Sequence, residues 1–361
     1  MTYRVYSEYF VHGTDFRMFF DFNGGDYQYV VQPGEIPADV DILVNHSVAD
    51  CYKHPGLNIH FDIFHNCENQ ITTVSQKKHP NVHVITNGVD KNIQDPKIIF
   101  NDFLFNRTKA YYTDFPFSRA TERWLYVDLP NRPSYVIPTN TFVESKRLIF
   151  LAPNKTYTTV NFNRNIKYRP QLVDILKTYK ELGFIGDPHG TPAHILTPHF
   201  ADPFAHDLNH IGQLAVDIKN QTDRDLMLTL GYSPAHNEYY AQSFISIYGE
   251  TIEYGSTIAV TEKTYDPLIK GHFILPFSTV GFVDYLKGIG FRFPEFIDYH
   301  YDTVADDDTR FGHYTQEVCR LLTLDLDTWR QHWNDNIDII EHNKKLFHLR
   351  PYDQIDFSKY R

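Results

Sequence analysis

Apolar residues along this chain fall into short runs separated by polar, glycine-bearing and proline-bearing clusters. In the N-terminal half, Tyr3 to Phe10, Tyr27 to Val31, Val40 to Val44, Val82 to Ile85, Leu125 to Val127 and Tyr135 to Ile137 are apolar or β-branched stretches of strand length. Gly, Pro and Asn clusters punctuate them, and Ile99 to Tyr112 reads as a helix. This half therefore reads as an α/β layer structure. From Arg147 to Leu151 the run RLIFL has the character of a buried strand, and a polar loop from Ala152 to Tyr168 follows it. Next comes RPQLVDILKTYKELG, where Leu172, Ile175, Leu176, Tyr179 and Leu182 recur at helical spacing and Gly183 supplies a stop. Strand, polar loop and helix in that order open a nucleotide-binding fold, which places a domain boundary near residue 145.

The clearest pattern runs from Ser243 to Phe277: an apolar run, an acidic and hydroxyl-rich loop, a short helical segment closed by Gly271, and a second apolar run. That is the outline of a β-loop-α-β unit, which binds ligands at its loop. Further on, Gly281 to Lys287 reads as a short helix, and an aromatic loop leads through Gly288, Gly290, Pro294 and Tyr299 to Tyr301-Asp302. One long amphipathic helix is expected from Asp327 to Phe347, presenting Trp329, Trp333, Ile337, Ile340 and Leu346 and clamping the two halves together. The expected organisation is residues 1–145 as one domain, 146–325 as a second, and 326–361 as the helical segment packed across them.

Composition narrows the class. At 361 residues there is material for two cores, and 42% hydrophobic residues with 28 Phe and 25 Tyr describe a globular chain. No apolar run approaches the roughly 18 residues of a membrane span. The start MTYRVYSEYF has neither the basic opening nor the apolar centre of a secretion signal, so no membrane partner and a cytoplasmic address are expected. A net charge of -11 argues against broad binding to nucleic acid. Cys51, Cys67 and Cys319 are too few and too scattered for a disulfide framework or a thiolate zinc site.

Candidate chemistry centres on Thr261, Glu262, Lys263 and Thr264, which put one carboxylate, one ammonium and two hydroxyls at the mouth of a helix. With Thr264 as the cap, Tyr265, Asp266 and Pro267 occupy the first helical turn, where the missing N–H has no intrahelical acceptor in any case. Free N–H groups, the positive end of the helix dipole and Lys263 suit a diphosphate, and Glu262 can accept two hydrogen bonds from a ribose diol. The competing reading makes Thr261 and Glu262 plain capping residues. Two other clusters raise the question of a metal. The histidines 189, 194, 199, 206 and 210 lie in a proline-rich loop without an intervening glutamate of the zinc-enzyme kind, and Asp306, Asp307 and Asp308 read as solvated surface. No metal site is expected from either.

The pattern of Glu250 and Tyr254 ahead of Thr261-Glu262-Lys263 resembles the donor-binding stretch of α1,3-fucosyltransferases, although Tyr254 stands seven residues before Thr261. The wider stretch from 240 to 312 contains Thr-Glu-Lys-Thr, Pro267, Phe277, the Gly288/Gly290-Phe291 turn, Ile297-Asp298 and Tyr301-Asp302. It is similar to glycosyltransferase-like proteins of bacteriophages and large viruses. The resemblance implies a GT-B architecture, in which two Rossmann-like domains face each other across a cleft. It also implies a UDP- or GDP-linked sugar as co-substrate, with Glu262 on the ribose, Lys263 on the diphosphate, and Thr261, Thr264, Glu250 and Tyr254 around them. Arg164 or Arg169 is the counterpart of a phosphate-binding arginine, Arg169 being favoured because it opens a helix. Catalysis would need no metal, and no cofactor would be tightly bound.

On the acceptor side, an inverting transferase needs a general base, and the ends of N-terminal strands offer His12 and Asp15 after the first run and His46 after Val40 to Val44. The acceptors suggested by the viral resemblance are a glycan or a hydroxymethylated base in phage DNA. Basic stretches at Arg107 to Lys109, Arg119 to Trp124 and Lys167 to Arg169 are the candidate DNA contacts. A non-catalytic sugar- or nucleotide-binding viral module is the alternative to an enzyme.

Overall fold

A computed structural model describes residues 2–6, 26–30, 39–45, 56–62, 82–90, 96–102, 105–106, 146–152, 167–185, 240 and 242–360. The chain divides into two compact units, residues 1–134 with 351–361, and residues 135–350.

Among the described residues of the first unit, the main sheet holds β1 (Thr2–Tyr6), β2 (Asp26–Val30), β3 (Ile42–Asn45), β4 (Leu57–Asp62), β5 (Val82–Thr86) and β6 (Ile98–Phe100). They form one sheet in the order β2-β1-β3-β4-β5-β6, with every neighbouring pair parallel. Successive residues of a strand face opposite sides of a sheet, yet Val5 and Tyr6, Ile42 and Leu43, and Val84 and Ile85 are all buried. Both faces of this sheet are therefore covered, as parallel sheets require. Strand order reverses between β1 and β3, and ligands of open α/β sheets bind beyond the carboxyl ends at such a reversal. The C-terminal segment closes the unit: Asp353 accepts from the Asp102 amide at 2.7 Å, and its own amide donates to Asn106 Oδ1 at 2.7 Å.

The second unit has a four-stranded parallel sheet of β7 (Leu148–Ala152), β8 (Gly183–Ile185), β9 (Ser243–Gly249) and β10 (Phe273–Phe277), in the order β10-β9-β7-β8. All seven residues of β9 are buried. Helices α1 (Arg169–Lys177), α2 (Glu262–Ile269), α3 (Phe282–Gly288), α4 (Asp307–Leu322), α5 (Leu326–Asp335) and α6 (Ile337–Leu349) complete this unit among the described residues. Gly271, at φ 75°, ends α2 in the left-handed region that a side chain disfavours. The core brings Phe150, Phe244, Phe273 and Phe277 of the sheet against Tyr314, Trp329 and Trp333 of α4 and α5. The outer strand β10 is not left bare: Tyr299, Tyr301 and Tyr314 donate to its carbonyls at Ile274 (2.8 Å), Pro276 (2.7 Å) and Leu275 (3.1 Å).

Five expectations change. The helix expected to open after Thr264, with Pro267 in its first turn, starts at Glu262 with Thr261 as its cap, so Pro267 lies inside it. Ile99 and Phe100 belong to a strand paired with β5, so the helix expected from Ile99 to Tyr112 does not begin there. The single helix expected from Asp327 to Phe347 is two helices, interrupted at Asn336 (φ -120°, ψ 20°), whose side chain donates to the His332 carbonyl at 2.8 Å. Asp306 to Asp308 face solvent as expected but open α4 instead of forming a loop. Asp306 caps it by accepting from the Thr309 amide at 2.8 Å, Asp307 pairs with Arg310, and Asp308 meets Lys167. Within the expected aromatic loop, His300–Thr303 forms a short 3-10 turn.

Candidate functional site

In the second sheet the order reverses between β7 and β9, so its ligand crevice is expected where the chain leaves those two strands. Residues 153–166, which include Arg164, lie outside the described residues. The segment leaving β9 is described throughout. It runs from Glu250 to Thr261 and delivers the Thr-Glu-Lys-Thr segment to the start of α2.

Glu250 is the hub of this segment. It is fully buried, and its carboxylate accepts four hydrogen bonds. Oε1 takes the Thr261 amide at 3.1 Å and the Thr264 hydroxyl at 2.6 Å, while Oε2 takes the Thr251 amide at 2.9 Å and the Thr261 hydroxyl at 2.7 Å. Tyr248 extends the chain by donating to Thr264 Oγ1 at 2.7 Å, and burial followed by the Glu250 charge raises its phenol well above the usual range. Thr261 also caps α2, accepting from the Lys263 amide at 3.3 Å. The Lys263 ammonium donates to Thr251 Oγ1 at 2.9 Å and Thr261 Oγ1 at 3.2 Å and stands 3.8 Å from Glu250 Oε2. The capping reading therefore holds for Thr261, and Lys263 places a cation at the amino end of the helix.

Arg169 is no solvated helix residue. It is 2% exposed and donates through Nη2 to the carbonyls of Gly249 (3.2 Å) and Glu250 (2.6 Å). Its Nε lies 3.5 Å from Oε1 of Glu253, whose other oxygen accepts from the Tyr168 amide at 2.8 Å. Burial pushes the Glu253 carboxyl up, against the opposing pull of Arg169 and backbone N–H groups. Gly249 is required here because a Cβ at that position would stand 2.6 Å from Glu253 Oε1. Arg310 of α4 works as a second clamp, donating to the carbonyls of Ser278 (3.1 Å), Val304 (2.9 Å) and Glu253 (3.3 Å). Asp302 accepts from the amides of Phe282 (3.0 Å), Val283 (2.9 Å) and Asp284 (3.3 Å), closing the start of α3, and burial raises its carboxyl to about 6.

Three carboxylates (Glu250, Glu253, Asp302) and three cations (Lys263, Arg169, Arg310), each at most 4% exposed, thus gather where the second sheet's strands end. Burying an ion costs several kcal/mol unless partners offset it, and here every one of the six has them. The sequence pattern pointed to Glu250, Lys263 and Arg169 but not to Glu253, Arg310 or the structural part played by Asp302. The signal for Arg310 was present: an Asp-x-x-Thr cap at Asp306 leads into Phe311, Tyr314, Val318, Leu321 and Leu322 at helical spacing. Glu253 carried no local signal.

Glu262 opens α2, but its side chain lies outside the described residues, as do His12, Asp15, His46, Arg164 and histidines 189 to 210. Tyr254 is half-buried beside Gly255 at the turn of the loop. Of the basic stretches, 107–109 and 119–124 fall outside the described residues. The third is no basic face, because Arg169 is buried and Lys167 is paired with Asp308. Among the described residues no group of three or more His, Cys, Asp or Glu is placed to hold a metal ion, and no helix is long and apolar enough to cross a membrane.

No protein-family model matches the chain, and no curated protein is similar to it in sequence. Among solved structures, it is similar to a crystal structure of an α1,3-fucosyltransferase, with a TM-score of 0.43 and 10% identity over 98% of this chain and 92% of the other.

Proposed function

We propose that this chain is a glycosyltransferase of the GT-B type, moving a hexosyl or pentosyl group from a UDP- or GDP-linked sugar to an acceptor hydroxyl. The observation that carries the reading is the coincidence of the Thr-Glu-Lys-Thr segment with the strand-order reversal of the second sheet, where the buried ionisable side chains converge. Buried ionisable side chains gathered at a ligand crevice make a functional-site candidate with a physical rationale.

In this reading the diphosphate lies at the start of α2, where the helix dipole and the Lys263 charge meet the negative charge that develops on the leaving group. Glu262 holds the ribose diol, Arg164 adds a cation from the loop after β7, and Tyr254 lines the donor site from the loop tip. Glu250, Thr261, Thr264 and Arg169 hold the loop in shape, so that these dipoles need no reorganisation as the sugar leaves. The acceptor oxygen attacks the anomeric carbon, the bond to the diphosphate breaks, and the acceptor proton passes to a base. His46, Asp15 and His12 are the candidates for that base, since they come after β3 and β1, the strands that flank the reversal in the first sheet.

The acceptor is proposed to be a glycan, since in the one described basic stretch Arg169 is buried and Lys167 is paired with Asp308. Steeply salt-dependent binding to hydroxymethylated DNA would reassign it. The test is a thermal-shift and turnover panel of UDP, GDP, CMP and dTDP sugars on wild type and Glu262→Gln. One nucleoside diphosphate should stabilise wild type, and the variant should lose at least tenfold in donor affinity. Donor binding without hydrolysis or transfer to any acceptor would make the chain a binding module, and unchanged turnover in Glu262→Gln would sink the residue assignment.

A further inference from the structure

Helices of the second unit are capped in two different ways. Thr261, Asp306 and Asp325 cap α2, α4 and α5 from the position immediately before each helix. The start of α1 has no such help: Tyr168 makes no side-chain cap, and no acidic residue occupies the first turn. Its cap arrives from 85 residues away in sequence. Glu253 Oε2 accepts from the Tyr168 amide at 2.8 Å, and the backbone N–H groups of Lys167 and Arg169 act on the same carboxylate.

The position of α1 makes this substitution informative. It comes after β7, one of the two strands at the reversal of the sheet, and in nucleotide-binding folds a phosphate sits on the N–H groups that open such a helix. Here the chain has put its own anion there. Glu253 has what a bound phosphate would need: convergent N–H donors, the Arg169 guanidinium 3.5 Å away, complete burial, and a glycine at 249 that leaves room for it. Its Oε1 takes no hydrogen bond among the described residues and faces the Arg169 guanidinium, so on that side the anion is held by charge. The backbone carbonyl of Glu253 is anchored separately by Arg310 at 3.3 Å, so the side chain is delivered to this spot by a loop fixed from both ends.

We propose that Glu253 is an internal anion that takes the place of a phosphate at the amino end of α1, closing that position to ligand phosphate and directing the donor's diphosphate to the start of α2. The directing part rests on the transferase reading; the closure of α1 does not. Glu253 is on this view a positioning and selectivity residue, since it touches neither substrate nor reacting atoms.

Glu253→Ala tests it with inorganic phosphate alone as the probe. Equilibrium dialysis with labelled phosphate should show one phosphate per chain gained over wild type, and phosphate should raise the melting temperature of the variant by several degrees more than that of wild type in a matched-ionic-strength series. Glu253→Gln, whose amide still fills the position, should gain neither. If Glu253→Ala is unfolded in chloride buffer, its near-UV circular dichroism should recover in phosphate. A folded Glu253→Ala with no added phosphate site overturns the proposal, as does an equal gain in Glu253→Gln or a variant that stays unfolded at every phosphate concentration. Because no nucleotide is present, a chain that gains the phosphate site but binds no nucleoside diphosphate refutes the transferase reading and leaves the closure of α1 standing.

Discussion

The two ends of the second sheet treat buried charge in opposite ways. At the carboxyl end, Glu250 stands by Lys263, Glu253 by Arg169, and Arg310 by Asp307, each ion offset by an opposite charge and by backbone or hydroxyl groups. At the amino end, Lys146 precedes β7 and His272 precedes β10, and Lys146 has no carboxylate partner among the described residues. Its ammonium donates to the carbonyls of Tyr240 and Ser243 and lies 4.2 Å from the centre of the Trp333 ring. The Tyr240 carbonyl can only accept, so His272 carries its proton on Nε2 (2.7 Å) and receives the Ser246 hydroxyl at Nδ1 (3.0 Å). Burial brings Lys146 down to about 7, and burial followed by the Lys146 charge holds His272 well below the usual imidazole range. One end pairs its charges, and at the other burial without a carboxylate partner disfavours them. Only the paired end can present a fixed field to a phosphate, which is why the candidate site belongs there.

Breaking the hub should have the largest effect. Glu250→Ala removes the acceptor of four hydrogen bonds and leaves Lys263 without its carboxylate, so unfolding of the second unit, followed by tryptophan fluorescence in urea, should be about 3–5 kcal/mol easier. Glu250→Gln should lose less, since the amide oxygen retains part of the set. A loss below that seen for an exposed carboxylate would show that the pairing at this end is incidental.

The amino end can be sharpened through pH. An unfolded lysine side chain takes up a proton below its ordinary value of 10.5, while folded Lys146 resists until about 7. The unfolded chain therefore binds more protons across that window, and stability falls as pH drops from 10.5 to 7, then levels off for this group. His272 adds a second fall below 6.5, where the unfolded imidazole charges and the buried one does not. Lys146→Met should remove on the order of 3 kcal/mol of this slope between pH 10.5 and 7, measured by urea titrations at a series of pH values. An unchanged slope would mean that Lys146 stays charged in the fold. The smallest effect is steric: Gly249→Ala sets a methyl against Glu253 Oε1 and should cost about 1–3 kcal/mol by the same assay.

Much of the second unit was legible because its signals are local. Apolar runs of strand length marked β7, β9 and β10, and Gly271 marked the end of α2. Local signals also misled. Ile98 to Phe100 has no period of its own over three residues, so it merged with the residues after it and read as helix, while pairing with β5 made it a strand. The 327–347 pattern runs unbroken through Asn336, and the break shows only in its backbone angles and in the return of its side chain to the His332 carbonyl. In the resembling Asp-x-x-Tyr-Asp element, Asp298 accepts from the His300 amide at 2.8 Å, Tyr301 covers a β10 carbonyl, and Asp302 caps α3. That element carries the architecture of the site rather than its chemistry.

What the amino-acid sequence determined by itself is the alternation of strands and helices, the helix stop at Gly271, and the convergence of a carboxylate, an ammonium and hydroxyls on four residues, because each depends on neighbours within a turn or two. The tertiary structure alone decided which charges are buried and with whom. Arg169 meets Gly249 and Glu250 some 80 residues on, Glu253 closes a helix 85 residues before it, and Arg310 reaches back 57 residues to the Glu253 carbonyl. Such partners are chosen by strand order and by the cost of leaving an ion unpaired away from water, and neither quantity exists until the sheet has formed.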